Sequence, residues 1–164
     1  MVLTGSYRRS LDDKLRLSIP KPLRLSLGFP QQTNLYIAPG TDRSLVIYTQ
    51  ETLEKLGSAL DKLSPAAKQA RAFARLFYSQ VQTAEVDRQG RMRIPAELAV
   101  LAGIKTDVVV IGVRDRMELW DTTHWDDFLK QTQPLYDDLA ESVLGECLGP
   151  PHQKFPPSTE QESS

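Results

Sequence analysis

The stretch Val86-Asp87-Arg88-Gln89-Gly90-Arg91-Met92-Arg93-Ile94-Pro95 has an earlier counterpart, Leu11-Asp12-Asp13-Lys14-Leu15-Arg16-Leu17-Ser18-Ile19-Pro20. Both copies read apolar, Asp, two polar or charged residues, a variable position, Arg, apolar, polar, Ile, Pro. An internal repeat constrains architecture before any single residue does, because both copies must be served by one kind of local structure. The correspondence continues downstream. Gly40 to Tyr48 matches Gly112 to Trp120, and each is followed by a polar start and a helical pattern, Thr49 to Leu56 and Asp121 to Leu129. The offset is 75 positions at the first motif and 72 at the second, so the halves differ by a three-residue indel in the connecting loop. Each half is a unit of strand, short linker, strand, strand and helix.

A unit of about 45 residues rarely buries enough apolar surface to stand alone, so the halves are expected to share one core. Within 164 residues the net charge is −1, which offers no global argument for a polyanionic partner. The local balance differs. Residues 1–30 hold six basic side chains against Asp12 and Asp13, while residues 115–164 hold eleven acidic against three basic. A basic front and an acidic back would attract a polyanion on one side only. Cys147 is the only cysteine, which precludes an intrachain disulfide and fits a reducing compartment. Tyr7-Arg8-Arg9-Ser10 interrupts any signal-peptide pattern, and the longest apolar run, Val108 to Val113, is far short of a membrane span. A cytoplasmic protein with no membrane association is the expectation.

Residues 1–10 read as an arm, either simply solvated or a basic lead into the first motif. Leu15, Leu17 and Ile19 alternate with Arg16 and Ser18, as in a half-buried strand, and Gly90, Met92 and Ile94 alternate with Arg91 and Arg93 in the same way. Each copy therefore offers arginine from the outer strand face. Pro20 and Pro95 stop the strands. Short amphipathic stretches follow, Lys21 to Leu27 and Ala96 to Leu101, closed by Gly28 and Gly103 where left-handed backbone is wanted. Leu35 to Ala38 and Val108 to Ile111 read as buried strands, and Leu45 to Tyr48 and Met117 to Trp120 close a hairpin in each half. Between the halves, Ser64 as N-cap and Pro65 at the first helical position predict a helix with an apolar stripe Ala66, Ala70, Phe73, Phe77 and a basic face Lys68, Arg71, Arg75. A further helical pattern runs from Pro134 through Leu135, Leu139 and Val143. From Gly149 the chain is rich in Pro and Ser and predicts a disordered tail.

Signals for catalysis are weak. His124, His152 and Cys147 have no zinc-like spacing, and there is no phosphate-cradling loop with lysine and no nucleophile elbow. No cofactor, metal or enzymatic activity is expected. The adjacent pairs Asp126-Asp127 and Asp137-Asp138 point about 100° apart on a helix and do not converge on one ion. Asp12 and Asp87 differ because they recur at one place in the repeat. A short carboxylate in a turn can accept backbone N–H groups or pair with the motif arginine, so both are read as orienters of the arginine-bearing loop together with Gly90. Arg16 and Arg91 are the sharpest positions. Either carboxylates such as Asp12 and Asp87 satisfy them, or they act as cationic forks on phosphate or on the guanine edge in a DNA groove. The second reading gains from their basic company, Lys14, Lys21 and Arg24 in the first copy and Arg88 and Arg93 in the second.

The doubled Asp-x-x-Gly-Arg-x-x-x-Pro pattern, with Val108 to Trp120 and a Trp125-containing helix after the second copy, closely resembles the bacterial MraZ family over about residues 1–145. That family belongs to the AbrB-like swapped-hairpin superfamily. The resemblance implies an α+β protein of two pseudo-repeats of a strand, hairpin and helix unit. These would form one swapped-hairpin, double-ψ-like β-barrel with peripheral helices. It implies a nucleoid-associated transcriptional regulator that binds repeated elements of double-stranded DNA upstream of the division and cell-wall gene cluster, and that assembles as a ring-shaped homo-oligomer. By motif position Arg16 and Arg91 would contact DNA, with Lys14 and Arg24 matching basic positions of the first family motif, and Arg88 and Arg93 adding to the second. Two positions depart from the pattern. Leu15 stands where the family has Gly, so either the strand begins earlier or the first loop has changed shape, and Ala99 stands where the second motif often has a basic residue.

The expected division is a first repeat at 1–62, a linking helix at 63–80, a second repeat at 81–130, a C-terminal helix at 131–148 and the tail at 149–164. A rival reading is an antitoxin-like protein-interaction module of the same fold, working through its acidic C-terminal helices. A metal-dependent nuclease using Asp12 and Asp87 is a third.

Overall fold

A computed structural model of the chain describes residues 1–148. The expected tail at 149–164 lies outside the described residues. Two compact units divide at Asp126 and Asp127. The first contains both repeats up to the start of their last helix. The first repeat runs β1 (Ser6–Ser10), β2 (Arg16–Ser18), α1 (Lys21–Leu27), β3 (Asn34–Pro39), β4 (Leu45–Tyr48) and α2 (Gln50–Asp61). After α3 (Lys68–Gln80) the second runs β5 (Gln82–Glu85), β6 (Arg91–Arg93), α4 (Ala96–Leu101), β7 (Asp107–Val113), β8 (Arg116–Asp121) and α5 (Thr122–Thr132). The second unit takes in the end of α5, a 3₁₀ turn at Gln133–Leu135 and α6 (Tyr136–Leu148). No helix among the described residues is long and apolar enough to cross a membrane.

Local chemistry accounts for the helix limits. In α1, Leu23 and Leu27 are four apart and bury one stripe, and Gly28 ends the helix at φ 86° with its N–H on the Leu25 carbonyl. In α4, Leu98 and Ala99 are buried and Gly103 follows at φ 64°. Thr49 caps α2 by accepting the Thr52 N–H at 3.2 Å. Asp121 accepts the Thr123 N–H at 3.0 Å at the start of α5. The helix between the repeats starts later than its Ser-Pro signal predicts. Ser64 accepts the Ala67 N–H through its carbonyl and the Ala66 N–H through its hydroxyl, so Ser64 to Ala67 form a turn with Pro65 at its second position. Arg71 donates to the Pro65 carbonyl at 2.6 Å and holds that turn, and α3 begins only at Lys68. Of its apolar stripe, Phe77 is buried while Phe73 stays half-exposed and stacks on it at 5.4 Å.

Six strands form one antiparallel sheet in the order β1-β7-β8-β4-β3-β5. The hairpins β3–β4 and β7–β8 meet along β4 and β8, where Leu45 faces Leu119 and Ile47 faces Met117. The outer strands are exchanged between repeats. β1 of the first repeat pairs with β7 of the second, with Tyr7 opposite Val110, and β5 of the second pairs with β3 of the first, with Leu35 opposite Ala84. Neither outer strand was expected from the sequence. Ser-Tyr-Arg-Arg-Ser and Gln-Thr-Ala-Glu have no apolar alternation, and pairing with a buried neighbour imposes the extended form on them. Charge and polarity on such edges also oppose pairing with other chains. β1 and β5 remain the two edges of this sheet, so its ladder is open and no closed barrel forms among the described residues.

A separate two-stranded ribbon joins the repeats a second time. β2 and β6 pair antiparallel, with Leu17 opposite Met92. Both side chains are fully buried in the shared core with Ile19, Ile94, Leu45, Ile47, Met117 and Leu119. The pairs Leu17/Met92 and Val46/Glu118 mark the two places where the repeats meet on their pseudo-twofold axis. Leu17→Ala opens a cavity at that junction and should lower unfolding free energy by about 2–5 kcal/mol, while Ser18→Ala, one residue along on the exposed face, should stay within about 0.5 kcal/mol. Urea unfolding of the two variants checks this.

Candidate nucleic-acid interface

The two motif loops are close copies. In the first, Asp12 Oδ1 accepts the backbone N–H groups of Lys14 at 2.9 Å and Arg16 at 2.8 Å, and Oδ2 accepts the Arg16 Nε–H at 2.6 Å. In the second, Asp87 Oδ1 accepts those of Gln89 at 2.9 Å and Arg91 at 3.0 Å, and Oδ2 accepts the Arg91 Nε–H at 2.9 Å. The Asp12 carbonyl accepts the Leu15 N–H and the Asp87 carbonyl accepts the Gly90 N–H, closing the same tight turn. One carboxylate thus fixes the turn and aims its arginine. Both carboxyls are held below the usual range, first by the backbone N–H of Arg16 or Arg91, with the guanidinium hydrogen bonds adding to it and partial desolvation opposing it.

Leu15 settles what the missing glycine does. It lies at φ 57°, beside 77° for Gly90, so the strand does not begin earlier and the first loop keeps its shape. A leucine in left-handed backbone costs roughly 1–2 kcal/mol. Its half-buried side chain packs against the common core and offsets part of that cost.

The ribbon then collects the arginines. Arg16 sits opposite Arg93, and Arg91 sits opposite Ser18. These four positions alternate with buried Leu17 and Met92, so they share the outer face. Directly opposed like charges such as Arg16 and Arg93 destabilise a sheet, and the Asp12 carboxylate on Arg16 counters that repulsion, while the Asp87 carboxylate neutralises part of Arg91 opposite Ser18. They engage only Nε. The terminal guanidinium nitrogens of Arg16 and Arg91 have no partner among the described residues, and their side chains keep 31% and 29% of their surface exposed. Each arginine is therefore oriented by one edge and open at the other. Arg93 is exposed on the same face.

The loops lie at opposite ends of the ribbon, joined to it by Ile19 N–H on the Gly90 carbonyl at 3.0 Å and Ile94 N–H on the Leu15 carbonyl at 2.8 Å. Exposed Lys14 and Arg88 sit one on each loop, so they are not brought together. Arg24, on α1, leaves its own motif and lies across Gly90 of the other repeat. A β-carbon there would come within 2.7 Å of its Cδ and Cζ. Phe29 supports the Arg24 guanidinium with its ring centroid at 5.5 Å. Phe29 has no place in the doubled motif, although an aromatic just past a helix-ending glycine and five residues after an arginine is a usable signal. Phe29 also lines a cleft of about 480 Å³ with Pro30, Thr33, Val86, Asp87 and Arg88. Of the basic arm, Arg8 is engaged by Asp126 at 2.5 Å. Among the described residues no three His, Cys, Asp or Glu side chains group as metal ligands.

Fold and site together define a duplicated α+β protein that displays carboxylate-aimed arginines from a strand ribbon shared by its two halves. Comparison with known proteins gives this class a family. Residues 77–144 match the family model described as "MraZ protein, putative antitoxin-like". The chain is 38% identical over 140 residues to the transcriptional regulator MraZ of Ligilactobacillus salivarius, covering 85% of this chain and 95% of that one. The proteins of the same name from Lactiplantibacillus plantarum and Finegoldia magna are 39% and 36% identical, each over 85% of this chain and over 96% and 94% of their own lengths. The chain belongs to the MraZ family.

The lowered carboxyls make a signed prediction. Above an ordinary carboxylate pKa of about 3.9 both aspartates are ionised in the folded and unfolded states, and their stabilisation is fully present. As pH falls below that value the unfolded chain takes up protons first, and the stabilisation is lost as pH passes through the lowered folded-state values. The Asp12→Asn, Asp87→Asn double variant should therefore show a shallower loss of melting temperature between about pH 4 and pH 2 than the parent. Thermal melts across that range measure it, and identical slopes would count against the clamp.

Proposed function

We propose that the protein is a DNA-binding transcriptional regulator whose contact surface is the outer face of the β2–β6 ribbon and its two loops. The observation that carries this is the pair of arginines held at Nε by Asp12 and Asp87, with their terminal nitrogens open, on an exposed ribbon face shared with Arg93. A B-DNA major groove about 12 Å wide admits a two-stranded ribbon. An arginine fixed along its Nε edge can still present its two terminal nitrogens to guanine O6 and N7, or to a phosphate. Lys14 and Arg88, at the two ends, are placed to position the duplex through phosphates. The names of the relatives support the regulatory role. The exchange of β1 and β5 supports reading the fold as of the swapped-hairpin kind.

One subunit offers few cationic contacts and would bind weakly. Several subunits in a ring on repeated short elements upstream of a division and cell-wall gene cluster would gain by effective concentration. On this reading the protein acts in the cytoplasm at the nucleoid, without catalysis. A second reading has its own support. Leu139, Val143, Leu144 and Leu148 are exposed on α6, and the family description includes antitoxin-like, so a partner protein captured through residues 121–164 is the alternative.

Arg16→Ala and Arg91→Ala should each weaken binding to a duplex from upstream of the chain's own gene by about 1–3 kcal/mol without altering the fold. Electrophoretic mobility shifts against scrambled duplex, with circular dichroism as the folding control, test it. Normal binding by the double variant would sink the site assignment.

A further inference from the structure

The two loops match in backbone but not in charge or cover. Asp12, Asp13, Lys14 and Arg16 cancel, so the first loop is neutral. Asp87, Arg88 and Arg91 leave the second with one positive charge, and Arg24 lying across Gly90 raises it to two. Arg24 is no ordinary surface cation. Its Nε is buried without a hydrogen-bond partner among the described residues, and its guanidinium rests on Phe29. An arginine so supported is already ordered and has donors to spare.

This cover comes from the wrong repeat, for a topological reason. In the antiparallel ribbon the end of β2 lies beside the second loop, as the Ile19 N–H on the Gly90 carbonyl shows. The helix that follows, α1, therefore delivers Arg24 to that loop. The symmetric path takes α4 from Ile94, whose N–H is on the Leu15 carbonyl, toward the first loop. The position it delivers is Ala99, which is buried and has no charge. Leu15 replaces the glycine at the same loop. Both departures from the doubled motif thus fall at one loop: no arginine crosses position 15, and the Leu15 side chain packs against the core.

We propose that the loops grip DNA unequally, with the Asp87–Arg91 loop as the principal anchor because Arg24 of the first repeat adds a third guanidinium there, through space that only Gly90 leaves open. The proposal rests on the DNA-binding reading above. Gly90 is then a specificity determinant through Arg24 rather than a mere turn residue. A side chain at position 90 meets Cδ and the guanidinium of Arg24, so it displaces Arg24, at the added cost of a side chain in left-handed backbone. Leu15 shows that a leucine is accepted in this turn.

The experiment measures affinity of full-length variants for the upstream duplex and for scrambled duplex across a salt series. Arg24→Ala and Gly90→Leu should each lower affinity roughly tenfold and reduce the log–log salt slope by about one for each loop engaged. Combined, they should cost no more than either alone, because both remove the same contact. Arg91→Ala should cost more than Arg16→Ala. Additive losses for Arg24→Ala and Gly90→Leu, or equal losses for Arg16→Ala and Arg91→Ala, would overturn the inequality while leaving DNA binding intact. A parent protein that does not prefer the upstream duplex would overturn both readings together. Loss of preference only in Arg91→Ala, with Arg24→Ala unaffected, would overturn this one alone.

Discussion

Everything distinctive about the molecule follows from the antiparallel pairing of β2 with β6. Leu17 faces Met92 at the centre of that ladder, both without solvent exposure. Because side chains alternate along a strand, burying these two turns Arg16, Ser18, Arg91 and Arg93 outward together. A slip of one residue would bury arginines and expose the core pair, so the hydrophobic centre fixes the register of the charged face. The same pairing brings the exit of each repeat to the loop of the other and routes α1 and α4 across the pseudo-twofold axis. Packing therefore dictates where charge appears.

Crowding arginines on a narrow ribbon is electrostatically unfavourable, and the local answer is economical. Each loop uses one carboxylate for three tasks: it stitches the turn through two backbone N–H groups, neutralises part of an arginine's charge, and removes that arginine's rotational freedom. An arginine ordered in advance loses less entropy on binding than a free one. The partial exposure of these pairs keeps their net contribution to folding modest, so the aspartates matter more for where the guanidinium groups sit than for whether the chain folds.

Most of this was legible in the sequence wherever the repeat spoke twice. The limits of α1 and α4, the hairpins, the alternating ribbon strands and the glycine-ended helices all rest on periodicities and turn residues that recur in both halves. What escaped detection had no local signature. β1 and β5 are polar segments made into strands by partners far along the chain. The turn at Ser64 to Ala67 imitates a helix start until Arg71 folds back onto the Pro65 carbonyl. The crossing of Arg24 to Gly90 depends on which end of one strand meets which loop of the other, a relation no single motif encodes. The open sheet likewise arises from where pairing stops, which strand composition alone does not specify.

The exchange of outer strands also sets a timetable for synthesis. Ser6 to Ser10 find their partners at Asp107 to Ile111, about a hundred residues later. Until the ribosome has released that segment, the first repeat has its own hairpin and can take up β5 along β3, but it lacks β8 along β4, and the leading strand waits unpaired. Such long-range closure raises contact order and slows folding. The growing chain meanwhile offers the β4 edge of its hairpin, which another copy could occupy in place of its own second half. The polar, arginine-bearing composition of the first ten residues then acquires a second meaning. Charge and polarity on that strand favour its hydration while it waits and oppose its pairing with neighbouring chains.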